Sequence, residues 1–167
     1  MAHPDTDALP DFLGEEELRR AMELLFFAYR DFTGEADAIL AEDGFGRAHH
    51  RVVYFIKRNP GISVNQLLGI LKITKQALAR VLGQLVREGF VRQDTDPADR
   101  RRRTLALTAK GDALEGRLTA CQSARVRRAF EAAGADAVRG FSEILTLMIN
   151  ADERNRFTGG GPHTGKV

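Results

Sequence analysis

A mainly α-helical fold with one small β-wing is what this 167-residue sequence predicts. Three observations lead there. Apolar residues recur at alternating steps of four and three near both ends of the chain, which is the seam of long helices. Helix-capping residues punctuate the middle at short intervals. Two alternating stretches flank a highly charged run, the pattern of a hairpin.

The first helix is expected from Glu15 to about Ala41, with Leu18, Met22, Leu25, Tyr29, Phe32, Ala36 and Ile39 as its seam. Leu24, Phe26 and Phe27 widen that stripe beyond what one small domain face needs, so it can serve a second subunit or simply a core. Asp43-Gly44-Phe45-Gly46 breaks the chain, and a second helix follows from about Arg47 to Arg58, with Val52, Val53 and Ile56 inward. Asn59-Pro60-Gly61 ends it. Ser63-Val64-Asn65-Gln66 has the spacing of a capping box and opens a short helix from Val64 to about Leu71. Thr74 then caps a fourth helix running to Glu88, and Gly89 closes it in the left-handed conformation. Phe90–Gln93 and Thr104–Leu107 alternate like strands around a long basic tip, residues 94–103. A long helix from Thr108 to about Ala133 and a last one ending near Ile149, with Val138, Phe141, Leu145 and Met148 in register, complete the set. The resulting division is an arm at 1–14, a first long helix at 15–46, a central lobe at 47–108, C-terminal helices at 109–150 and a flexible tail at 151–167, the two helical ends being the segments open to dimerisation.

Composition narrows the function. The chain is 43% hydrophobic, enough for one self-sufficient core, and its single cysteine, Cys121, excludes an internal disulfide framework and multi-cysteine zinc sites. No apolar run approaches the roughly 18 residues that span a bilayer, and the acidic N-terminus lacks the pattern of a signal peptide, so a cytoplasmic protein with no membrane partner is expected. A net charge of +2 conceals segregation. Residues 1–46 hold 3 basic and 12 acidic side chains, residues 47–111 hold 14 and 4, and residues 112–167 hold 8 and 7. Concentrated cations suit local binding of a polyanion, although pairing of an acidic first helix with a basic neighbour gives the same count.

Two short helices joined by a tight turn, the second capped by Thr74 and followed at once by a hairpin, form the pattern of a winged helix-turn-helix. A major groove about 12 Å wide admits one helix. Residues just after the cap enter it, so Thr74, Lys75, Gln76, Ala79 and Arg80 are the candidate DNA contacts, the small Ala79 allowing close approach. An exposed polar helix face is the plain alternative. Four consecutive arginines, Arg100, Arg101, Arg102 and Arg103, repel one another at the wing tip and suit a phosphate backbone or a narrow minor groove. Asp96 and Asp99 are assigned to structuring that wing through salt bridges.

The run Pro60-Gly61-Ile62-Ser63-Val64-Asn65-Gln66-Leu67, the segment ending Leu85-Val86-Arg87-Glu88-Gly89-Phe90-Val91, and Asp96-Pro97-Ala98-Asp99-Arg100-Arg101 followed by Leu107-Thr108-Ala109-Lys110-Gly111 resemble the MarR family of winged-helix transcription regulators. The resemblance covers about residues 15–150, and Gly44–Arg51 is similar to the branch containing PetP-type regulators. Ala98 departs from the basic residue common in the family, which shifts the expected wing contact to Arg100 or Arg102. The resemblance implies a homodimer with interlocking terminal helices, bound as a repressor to double-stranded DNA at a near-palindromic operator. It also implies release by a small aromatic or anionic ligand held between dimer base and DNA lobe. Phe26, Tyr29, Arg30, His49, His50 and Val53 are the candidate crevice, each of them equally readable as a packing residue.

Rival chemistry is thin. His49-His50 and Cys121 are the evident base and nucleophile candidates for an enzyme, and adjacent helical histidines point about 100° apart rather than converging on a metal. No catalytic residues, cofactor or metal site are expected. Cys121 has Arg125 one turn away, which suggests a lowered thiol pKa and a redox-responsive regulator; its place on the stripe of Leu114 and Leu118 suggests a small buried hydrophobe instead. A winged helix that binds only protein is the remaining alternative.

Overall fold

The computed structural model describes residues 13–95 and 103–158. Its elements run α1 (Glu15–Ala41), α2 (Arg47–Arg58), α3 (Val64–Leu71), α4 (Lys75–Arg87), β1 (Val91–Thr95), β2 (Arg103–Leu107), α5 (Ala109–Ala133), α6 (Ala135–Met148) and α7 (Ala151–Thr158). The mainly helical fold with a two-stranded wing is therefore as the sequence predicts.

Local capping sets the boundaries of the central lobe. The Ser63 amide donates to Gln66 Oε1 at 2.9 Å while the Gln66 amide donates to Ser63 Oγ at 3.3 Å, closing the reciprocal cap of α3. At α4 the Ala77 amide donates to Thr74 Oγ1 at 3.2 Å. Its far end is a Schellman turn: Phe90 N–H reaches Leu85 O at 2.8 Å, Gly89 N–H reaches Val86 O at 3.1 Å, and Gly89 has φ +77°. Phe90, 2% exposed, is thereby driven into the core as the chain turns into β1. β1 and β2 pair antiparallel with Val91 opposite Leu107 and Thr95 opposite Arg103. Ile62 O accepts the Leu105 amide at 2.9 Å, and Ser63 bridges Thr104, so the segment before α3 lines the second edge of β2.

One core joins these parts. Val52, Val53 and Ile56 of α2 meet Leu67, Leu78, Val81, Leu82, Leu85, Phe90, Val91 and Leu105, and Ala36, Leu40, Leu114 and Leu118 extend it to α1 and α5. The Leu-Thr-x-x-Gly stretch is the seam between lobe and α5. Thr108 Oγ1 donates to Gly89 O at 2.6 Å and accepts from the Gly111 amide at 3.1 Å. A Cβ on Gly111 would lie 2.0 Å from Phe90 O, so only glycine lets α5 approach the end of the lobe this closely.

The outer helices are less covered. In α1, Thr33, Ala36 and Leu40 are buried, whereas Met22 and Phe26 are 63% and 64% exposed; α6 buries no residue. The sequence reading ends the helices near Ile149, and α7 departs from it. Residues 151–158 lack an apolar stripe, so periodicity gives no signal there. Polar contacts fasten them: Arg154 reaches carbonyls at the end of α6 and its cap, and Lys72 pairs with the acidic first turn.

Candidate nucleic-acid interface and adjoining cavity

Burial divides α4 into two sides. Leu78, Val81, Leu82 and Leu85 are buried, while Lys75, Gln76, Ala79, Arg80, Gly83 and Arg87 are exposed, as is the cap Thr74. The exposed set lies on a continuous face at helical spacing, with cationic and amide donors at the first two turns and no acidic residue in them. That arrangement presents base-edge donors and a small-residue gap together, as a groove-reading helix requires. Beside it the wing rises from a paired base, where Arg103 Nη1 donates to Thr95 Oγ1 at 3.1 Å and Arg92 pairs with Asp94. Asp96, Asp99, Arg100, Arg101 and Arg102 lie outside the described residues; Arg103 begins β2 and is exposed.

A cavity of about 640 Å³ opens between α1, α2 and α5. Tyr29, Phe32, Tyr54, Phe55, Val126 and Phe130 supply its apolar walls, and His50, Arg51 and Arg127 add polar groups. Arg51 Nη2 donates to the Tyr29 hydroxyl at 3.1 Å, which fixes one wall. Arg47 also borders the space, but its guanidinium is committed to Asp37 at 2.8 and 3.0 Å. Burial pushes the His50 imidazole below its ordinary value; Glu115 and Asp37 oppose that shift and Arg51 adds to it.

Of the crevice residues read from sequence, the structure brings Tyr29 and His50 to this cavity and leaves four outside its lining. Val53 is fully buried in the core. Phe26 is exposed on the N-terminal half of α1, and Arg30 pairs with Asp31 at 2.8 Å while covering the Phe27 ring. His49 turns the other way. Its Nδ1 accepts the Gly46 amide at 3.2 Å and its Nε2 lies 3.0 Å from Gln84 Oε1, so the neutral Nε2–H form satisfies both partners and ties α2 to α4. Stacking on Phe45, with centroids 4.7 Å apart, holds the ring there. Sequence reasoning missed Gln84 as that tie, and it missed the whole contribution of α5 to the cavity.

At Cys121 the two sequence readings part, and the lowered thiol pKa finds no support. Its thiol is pushed up rather than down, first by burial and then by the Glu35 carboxylate. Arg125, expected to lower it, is held by Glu35 at 2.6 Å and pulls only weakly. The Sγ donates to Leu118 O at 3.1 Å, as a packed small side chain does.

The half-buried His50 makes folding stability pH-dependent. The unfolded imidazole takes up its proton near pH 6.5, the folded one only at lower pH, so acid favours the unfolded chain from about 6.5 down to the depressed folded value. Urea midpoints measured at about pH 7.5 and pH 5.5 should differ less in His50→Gln than in the unaltered chain. Equal differences in both would show that His50 carries none of this dependence.

A capped helix with a polar exposed face, preceded by a short helix at a tight turn and followed by a β-hairpin, is a winged helix-turn-helix, the architecture of a large class of regulators. A family model for the MarR family matches residues 43–102. Over 146 residues, 87% of this chain and 88% of the relative, the sequence is 44% identical to the HTH-type transcriptional regulator PetP of Rhodobacter capsulatus. Among solved structures, FabT of Streptococcus pneumoniae in complex with DNA superposes with a TM-score of 0.71 at 19% identity, covering 78% of this chain and 94% of that one. A MarR transcriptional regulator from Methanosarcina mazei Go1 superposes at 0.62 with 26% identity, covering 80% and 94%. The chain belongs to the MarR family of transcriptional regulators, and its identity with PetP bears out the likeness to the PetP-type branch. Among the described residues no helix is long and apolar enough to cross a membrane, and no three metal-ligating side chains are grouped.

Proposed function

We propose that this regulator is a cytoplasmic homodimer that occupies a near-palindromic operator as a repressor and is released by a small aromatic or anionic ligand. The observation that carries DNA reading is the exposed face of α4, where Lys75, Gln76, Ala79 and Arg80 follow the Thr74 cap without an acidic neighbour in the first turns. In this reading residues 47–108 form the DNA lobe, and α1, α5 and α6 form the dimer base. The uncovered apolar sides of α1 and α6 support a second copy as their partner. The aromatic walls of the cavity, with Arg51 and Arg127 at its border, suit a flat anion. A ligand there acts only through a difference in affinity between the DNA-bound and free spacing of the two lobes, typically about 1–3 kcal/mol. The raised thiol pKa of Cys121 gives no support to redox release.

Selection of bound sequences from a random duplex pool tests the reading and returns the operator. With that operator in hand, Gln76→Ala or Arg80→Ala is expected to cost about 1–3 kcal/mol and to relax preference at particular base pairs. Replacing Arg100 and Arg102 by alanine is expected to weaken binding across all sequences and to flatten its salt dependence by roughly 0.9 per lost phosphate contact. Failure to enrich any sequence, with no duplex binding at low salt, would leave a protein-interaction module as the better reading.

A further inference from the structure

The acidic first turn of α7 sits on the helix-turn-helix. Lys72 closes α3 with φ 49° and stands two residues before Thr74, the cap of α4. Its ammonium lies 2.7 Å from Glu153 Oε1 and 3.7 Å from Asp152 Oδ2. Both carboxylates occupy the start of α7, where the helix dipole favours negative charge. A second attachment is to the end of α6: Arg154 donates from Nε to Ile149 O, the cap, at 2.8 Å and from Nη2 to Leu147 O at 2.7 Å. A short helix is thus fastened at one end to the last long helix and at the other to the turn that introduces α4.

That position matters for a polyanion. When the N-terminal turn of a recognition helix enters the major groove, the turn before it runs along the sugar-phosphate wall, where a lysine serves as a phosphate contact. With α7 docked, the Lys72 charge is already answered and two carboxylates stand at the rim; the Asp152 side chain is 73% exposed. Carboxylates at that rim repel the backbone. Lys72 keeps more than half of its side chain in solvent while Glu153 is 21% exposed, so the pair is only partly shielded and a phosphate can compete for the ammonium.

We propose that α7 is an autoinhibitory latch, in which Asp152 and Glu153 hold Lys72 until a DNA backbone phosphate replaces them. The latch rests on the reading of α4 as the recognition helix. It makes duplex binding depend on a competition within one chain, and it gives the residues beyond α6 a role in setting the threshold for DNA.

The test uses four full-length proteins: the unaltered chain, Asp152→Asn/Glu153→Gln, Lys72→Gln, and all three changes together. Each is titrated with a mixed-sequence duplex across a series of KCl concentrations. Neutralising the carboxylates is expected to tighten binding several-fold at low salt, and Lys72→Gln is expected to flatten the salt dependence by roughly 0.9. The gain from neutralisation should shrink to a small residue in the Lys72→Gln background. An equal gain in both backgrounds means general charge repulsion and overturns the latch. No gain in either also overturns it, provided the unaltered chain binds duplex. An unaltered chain that binds no duplex at any salt sinks the recognition reading, and the latch with it.

Discussion

Replacing Gly111 by alanine is expected to unfold the seam between the DNA lobe and α5, with a loss of at least about 1–3 kcal/mol, the usual cost of overpacking. The reason is where the added atom goes. A Cβ at this position would lie 2.0 Å from Phe90 O and 2.9 Å from the Phe90 carbonyl carbon, and both are backbone atoms that no rotamer change can move aside. Relief requires α5 to back away from the lobe. That motion stretches the Thr108 hydroxyl contacts to Gly89 O and to the Gly111 amide, which together cap α5 and hold the Schellman turn of α4. It also draws Lys110 off the Phe90 ring, which its ammonium covers at 4.0 Å. Denaturant unfolding of Gly111→Ala should therefore show a lower midpoint, and duplex binding should fall because α4 and the wing share this anchor. Gly83→Ala is the control: a Cβ there meets nothing within 4 Å, and alanine favours a helix, so stability should hold or rise. Unchanged stability in Gly111→Ala would mean that α5 does not approach Phe90 this closely.

What could be read from sequence tracks how local the determining interactions are. The boundaries of α3 and α4 follow from Ser63 with Gln66, from Thr74 and from Gly89, each bonded to a partner within five residues, so the sequence carries them in the open. The same holds for the exposed face of α4, because a helix fixes which residues share a side once a few of them are known to be buried. The cavity is different. Which side of α5 meets α1 and α2 is decided by packing across long sequence separation, so Gln122, Val126, Arg127 and Phe130 carried no sign of their place. The histidine pair shows the limit most plainly. Sequence treats His49 and His50 alike, yet the turn between neighbours on a helix sends one to Gln84 and the other to the cavity. α7 escaped for a related reason: its fastenings are to Lys72, far away in the chain, and to main-chain carbonyls of α6, which have no side-chain signature. Cys121 and Arg125 stand one turn apart as the spacing says, but Glu35 of α1 takes the guanidinium, and spacing within α5 holds no trace of that.

Ile144→Glu with Met148→Glu is expected to convert a homodimer into folded monomers and to weaken operator binding by roughly 10²–10⁴-fold. Both side chains are 60% exposed on α6 in the single chain, and they lie one turn apart outside the buried core, so charging them costs the protomer little packing. With α6 burying no residue and α1 leaving Met22 and Phe26 well over half exposed, these helices hold apolar surface that one chain does not cover. If a second copy covers it, completing the burial of each of these side chains, 60% exposed in the single chain, contributes about 1–2 kcal/mol, and twofold symmetry places every substitution in the interface twice. The double variant should then run in sedimentation at the mass of one chain, with helical content and thermal unfolding of the lobe close to those of the unaltered protein. Loss of the dimer also separates the two recognition helices. The second half-site is no longer reached at the high effective concentration that a linked pair provides, so affinity for a two-half-site operator should fall toward that for a single half-site. Affinity for a duplex with one half-site should change little, because Lys75, Gln76 and Arg80 are untouched. If the unaltered chain already sediments as a monomer, or if the variant stays dimeric, the apolar sides of α1 and α6 serve some other partner. If both duplexes lose affinity equally, the substitutions act on the lobe itself and not on the spacing of two heads.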